Sequence, residues 1–147
     1  MFVWWCVVNP IDEVVFPAEL VVVPRPAGAG RPVVFPVQHQ YLEMLWLPVL
    51  GPSATWMLRR LSAWASAWPD GTAVVLPELS EALGLGWACG PSSSIQRTTR
   101  RLVRFGLADW SDVLAVATMV PPVPDSLLLR MSSGLVRAHD RMIAAGT

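Results

Sequence analysis

The chain has 147 residues, 53% of them hydrophobic, a formal net charge of zero and a mean hydropathy of +0.45. That length suits one domain with a substantial core, and the apolar excess points to a large core, an oligomer interface, or both. No uninterrupted apolar run reaches the roughly eighteen residues of a membrane-spanning helix. The longest, MFVWWCVV, has neither a basic start nor a small-residue cleavage site, so it is not read as a signal peptide, and the expected location is the cytoplasm.

Residues 1–37 read as β and turn. ELVVV and PVVFPV are rich in valine and punctuated by proline and glycine, so VVVPRPAGAGRPVVF predicts two strands joined by a loose loop. The prolines place these strands at a sheet edge or in an extended arm. VQHQYLEMLWL predicts a helix ending before Pro48. PSATWMLRRLSAWASAW predicts the clearest helix, opened by Pro52 and stopped by Pro69-Asp70-Gly71. At helical spacing Ala54, Met57, Leu58, Leu61, Trp64, Ala65 and Trp68 fall on its inner side. Arg59, Arg60, Ala63 and Ala67 fall on the outer side together with Trp56, where a large apolar residue needs a partner or a cover.

TAVVL predicts a short strand, and LPELSEALGLG a short helix with Leu76, Leu79 and Leu83 inward. After GWACGP a helix spans about Ser92–Phe105, with a serine at its cap and Gly106 at its end. LADW and VLAVATMV flank a very short turn and predict a hairpin. Past PPVP, the segments DSLLLRM and SSGLVRAHDRMIAA predict two closing helices. The second carries Leu135, Ala138, His139, Met142 and Ile143 on one face.

The central order is therefore helix, short strand, helix, turn, helix and two-stranded hairpin, which is the order of a winged helix-turn-helix domain. LSEALGLG and SSIQRTTRRLVRFGLADW resemble the corresponding stretches of winged-helix transcriptional regulators. From LPVLGPSATWMLRRL to RFGLADW, roughly residues 45–120, the chain resembles small winged-helix proteins coded in high-GC bacterial genomes. The resemblance implies DNA binding, transcription regulation and dimerisation through added terminal elements, which this chain has at both ends. It makes Ser92–Phe105 the recognition helix and Leu107–Val120 the wing. The linker GLGWACGP is longer than the three- or four-residue turn of a simple helix-turn-helix. The expected fold is α+β and mainly helical. An N-terminal β-rich or extended arm (1–37), a winged helix-turn-helix domain (38–120) and a C-terminal helical extension (121–147) would form one compact unit.

Charge singles out the recognition helix. All eleven basic residues are arginine, and four of them lie in the eight residues Arg97–Arg104. Residues 92–110 carry Arg97, Arg100, Arg101, Arg104 and Asp109, a net of +3, while residues 1–37, 38–91 and 111–147 sum to −1, −2 and zero. With Ile95 at zero and about 100° per residue, Thr98, Thr99, Leu102, Val103 and Phe105 fall within about 80°. The four arginines fall on the opposite face, flanked by Gln96 and the serines. No acid occurs from Ser92 to Ala108, whereas a merely solvated face mixes signs. Ser93, Ser94, Gln96 and Arg97 are placed for base edges or nearby phosphates. Arg100, Arg101 and Arg104 are placed for the phosphate backbone.

Other chemistry finds little support. Cys6, Cys89, His39 and His139 stand singly, without zinc-ligand spacing, and His139 reads as a packed histidine, so no metal is expected. Gly28–Gly30 sits between prolines with no helix after it, which does not suit a dinucleotide loop. There is no Walker A or G-x-S-x-G pattern, and no enzyme activity or cofactor is expected. The sequence predicts a regulator that binds double-stranded DNA, sequence-specifically or generally, as a homodimer. The alternative is a protein–protein interaction or scaffold module on the same fold, within a replication or mobile-element complex. Neutral overall charge and eight tryptophans favour that alternative.

Overall fold

In a computed structural model, residues 10–26, 33–88 and 90–146 are described. The N-terminal run with Trp4, Trp5 and Cys6, the Gly28–Gly30 loop with Arg31, and Cys89 lie outside them. The fold is α+β. A 3-10 turn, Pro10–Glu13, leads into β1 (Glu19–Pro24) and β2 (Phe35–Pro36). A π-helical turn, Leu42–Trp46, runs into α1 (Leu47–Leu50), then α2 (Pro52–Ala67), β3 (Thr72–Val75), α3 (Leu76–Ala82) and α4 (Ser94–Arg104). β4 (Ala108–Trp110), β5 (Leu114–Val116), β6 (Met119–Val120), α5 (Asp125–Leu128) and α6 (Ser133–Gly146) complete it. Among the described residues no helix is long and apolar enough to cross a membrane.

The main sheet has the order β3-β1-β5-β4. β1 is antiparallel to β3, with Leu20 opposite Val74, and parallel to β5, with Val23 opposite Ala115. This corrects the expected edge strand or arm, because β1 sits inside the sheet. Its proline does no harm there. Pro24 is the last residue of the strand, and the next amide, Arg25 N–H, donates to the Val116 carbonyl at 2.8 Å. The expected single segment VLAVATMV is divided, since β6 leaves the main sheet to pair with β2.

α2 packs its inner side, including Met57, Leu58 and Leu61, against the sheet and α4, and these side chains are fully buried. Trp64 is half-buried and packs against the core as expected, whereas Trp68 is 62% exposed, against the expected inward face. Trp68 is already past the helix, with φ −129° and ψ 71°, so helical spacing no longer governs it. The turn into β3 needs Gly71. Its φ is +114°, and a Cβ there would meet a Val21 methyl at 3.0 Å.

The helix expected to stop before Pro48 continues through it. Over Leu42–Trp46 the backbone widens to π geometry, with Leu47 N–H donating to the Leu42 carbonyl. The wider turn gives the following proline room where a regular α-turn would clash. α6 packs against this turn through a buried polar link. The Tyr41 hydroxyl accepts from Val123 N–H at 2.8 Å and shares a hydrogen bond with His139 Nδ1 at 2.9 Å. Phe35 stacks on the Tyr41 ring at 4.1 Å. Burial pushes the Tyr41 hydroxyl above its ordinary pKa, partly offset by the Val123 hydrogen bond.

Candidate nucleic-acid interface

The inner half of α4 is committed to the fold. Ile95, Thr99 and Leu102 are fully buried. The hydroxyls of Thr98 and Thr99 donate to the carbonyls of Ser94 and Ile95, each at 2.7 Å, so they are used within the helix. Gln96 belongs to this half, which corrects its expected place among base-reading residues. It is 2% exposed. Its Oε1 accepts from Phe16 N–H and its Nε2 donates to the Phe16 carbonyl, both at 2.8 Å. A carboxamide matches a peptide group edge to edge, so Gln96 completes the main chain of an extended segment that has no strand partner there.

Ser93 needs the same correction. It is the residue before the helix, it is buried, and its hydroxyl has no hydrogen-bond partner among the described residues. Ser94 is half-buried, and its hydroxyl accepts from Arg97 Nη2 at 3.3 Å.

The four arginines lie together on the outer half. Arg100 is held at both ends of its guanidinium, donating to the Val14 carbonyl and the Pro91 carbonyl, each at 2.8 Å. Arg101 donates to the Leu50 carbonyl at 2.9 Å. Arg104 pairs with the carboxylate of Asp12, at a site where both side chains remain accessible. The sequence offers no acid from Ser92 to Ala108; the tertiary fold brings one from 92 residues away. Arg97, Arg101 and Arg104 are exposed, and Arg100 is half-buried.

These side chains line a cleft of about 550 Å³ between α4 and the start of α2. Asp12, Gly51, Pro52, Ser53, Ala54, Leu85, Ser94 and Thr98 complete the wall. Four guanidiniums against one carboxylate leave it a net +3. The carbonyl and hydroxyl acceptors are neutral, so they fix the guanidiniums without cancelling their charge. The start of α2 adds the positive end of a 16-residue helix whose first turn has no side-chain cap. Gly51 stands there at φ +81°, and a Cβ would lie 3.3 Å from Arg101 Nη1, tight against the cleft wall. Sequence reasoning missed Asp12 and the α2 terminus. The Gly51-Pro52 helix start was the available signal for the second; nothing local marked the first.

The hairpin after α4 is unlike the helix in charge. Arg25 braces its base, donating to the Gly106 carbonyl at 2.6 Å and lying 3.5 Å from Asp109. Asp109 and Asp112 are exposed on the hairpin and its turn, and no basic residue lies between Leu107 and Val120. Among the described residues no three His, Cys, Asp or Glu side chains are grouped to hold a metal ion. The chain matches no protein-family model, no curated protein and no solved structure.

Proposed function

We propose that the chain is a winged-helix protein that binds double-stranded DNA mainly through its phosphates and regulates by occupancy. The observation that carries this reading is the cleft in which four arginines, one acid and a helix N-terminus converge. Phosphates favour both a cluster of guanidiniums and an uncapped helix start. The order α2, β3, α3, α4, β4 and β5 agrees with a winged helix in which α4 is the recognition helix. β1, inserted between β3 and β5, widens its sheet to four strands.

Base reading is narrower in this account than the sequence implied. Gln96 and Ser93 are buried, which leaves Arg97 and Ser94 at the leading end of α4. Recognition is therefore dominated by the backbone, with modest sequence discrimination. Exposed Arg97, Arg101 and Arg104 support about three phosphate contacts, a log–log salt slope of about −2.7.

A second reading, a protein-interaction module, draws on one specific observation. Residues 12–16 lie along α4, engaging Arg104, Arg100 and Gln96 in turn. Fluorescence anisotropy with a short labelled duplex at several salt concentrations separates the two. Under the DNA reading, affinity falls steeply with salt, and Arg97→Ala with Arg101→Ala flattens the slope. Absence of duplex binding at low salt overturns it in favour of the interaction module.

A further inference from the structure

A different face of the molecule carries its own arrangement. Trp56, Arg60, Trp64 and Trp68 recur every four residues along α2 and just past its end. Trp56 is 60% and Trp68 62% exposed. The Arg60 guanidinium lies 6.0 Å from the centre of the Trp64 ring and has no carboxylate or carbonyl partner among the described residues. Beside this stripe runs β3, an outer strand of the sheet that pairs with β1 on one side only. A cleft of about 350 Å³ joins stripe and strand, and it includes exposed Glu78 of α3, which has no cationic partner among the described residues. A second cleft of about 760 Å³ continues past Trp56 and shares Arg60, Trp64 and Ala82 with the first.

We propose that this face is where two copies of the chain meet across a two-fold axis. An outer strand offers free main-chain donors and acceptors to another strand, and exposed indoles beside it favour being covered. The groove holds one cation and one anion, each without a counter-ion inside the molecule. A surface with that content matches itself when turned through a half-rotation. Antiparallel pairing of β3 with β3 of a second copy brings Arg60 of each copy towards Glu78 of the other, and every contact then occurs twice. Covering Trp56 and Trp68 removes on the order of 300 Å² per copy from water. β3 and the outer sides of α2 and α3 extend this towards the roughly 800 Å² per partner of a specific interface. The zero net charge leaves no long-range repulsion between copies. The cleft on α4 lies on a separate surface, so this proposal does not rest on DNA binding.

The test is sedimentation of the full chain over a range of concentrations, without DNA. The wild type is expected to be a concentration-dependent dimer. Arg60→Glu alone and Glu78→Arg alone each place like charges together twice per dimer, and each should weaken association roughly tenfold or more. An equimolar mixture of the two variants makes every such contact attractive again and should restore the dimer. Circular dichroism verifies that both exposed-site variants are folded. A wild type that stays monomeric at the highest concentration, variants that dimerise as strongly as wild type, or a mixture no stronger than its components overturns the proposal. A monomeric chain that instead takes up an extended peptide along β3 assigns the face to a different partner.

Discussion

On the outer face of α4, Arg100 and Arg101 donate to main-chain carbonyls at 2.8–2.9 Å, whereas on α2 Arg60 has no carbonyl partner among the described residues and lies over the Trp64 ring at 6.0 Å. Both faces are arginine-bearing and accessible, but the side chains do different work. A carbonyl orders a guanidinium and leaves its charge intact, so the α4 cleft keeps a field that reaches an approaching polyanion. Fixing the side chains beforehand also lowers the ordering cost of binding. On α2 both cations lie over apolar rings, and Arg59 is further occupied by the Glu43 carboxylate at 3.8 Å and the His39 carbonyl at 3.4 Å. That face attracts through contact, not through long-range charge. The difference separates a surface suited to phosphates from one suited to another folded surface.

The largest test of this contrast asks whether Gln96 belongs to the α4 face or to the core beneath it. Gln96→Leu leaves the Phe16 N–H and C=O buried without partners, at a cost of about 2–4 kcal/mol in chemical denaturation. If Gln96 read bases instead, the variant would keep its stability and lose only duplex affinity. Next, Tyr41→Phe removes the acceptor for Val123 N–H and the link to His139, neither of which lines the α4 cleft. It should cost about 1–3 kcal/mol while leaving the salt slope unchanged. Because burial raises the Tyr41 pKa above 10.0, its protonated form is favoured in the folded state. Wild-type stability from this group is therefore complete below pH 10.0 and lost above it, as the unfolded chain ionises first. Alkaline denaturation of wild type and Tyr41→Phe should show that loss in the wild type alone.

Smaller effects are expected on the cleft itself. Arg97→Ala and Arg101→Ala should each make the salt slope shallower by about 0.9, with stability changed by about 0.5 kcal/mol or less for Arg97 and lowered by about 1 kcal/mol for Arg101, which loses its bond to the Leu50 carbonyl. The smallest effect is the most directional. Asp12→Asn removes the one carboxylate in the cleft and frees Arg104. Stability should fall by less than about 1 kcal/mol, since both partners are accessible, while duplex affinity at low salt rises about threefold. A fall in affinity would show that Asp12 positions Arg104 productively.

Periodicity and charge order were legible in the chain as written. The opposed faces of α4, the inward Met57, Leu58 and Leu61 of α2, and the outward Trp56 all follow from helical spacing, a local property. The clustering of four arginines without a neighbouring acid is likewise a fact of composition. Gln96 was ambiguous because it sits about 100° from Ile95, at the border between the faces. What settled it was an unpaired peptide at Phe16, 80 residues away. Only the tertiary structure could put β1 inside the sheet, carry a helix through Pro48 by a widened turn, and bring Asp12 to Arg104. The first and the last depend on hydrogen bonds or charges contributed by segments distant in sequence, which short-range spacing does not encode, while the widened turn rests on a local bond from Leu47 to Leu42 that departs from the regular helical spacing the sequence pattern assumes.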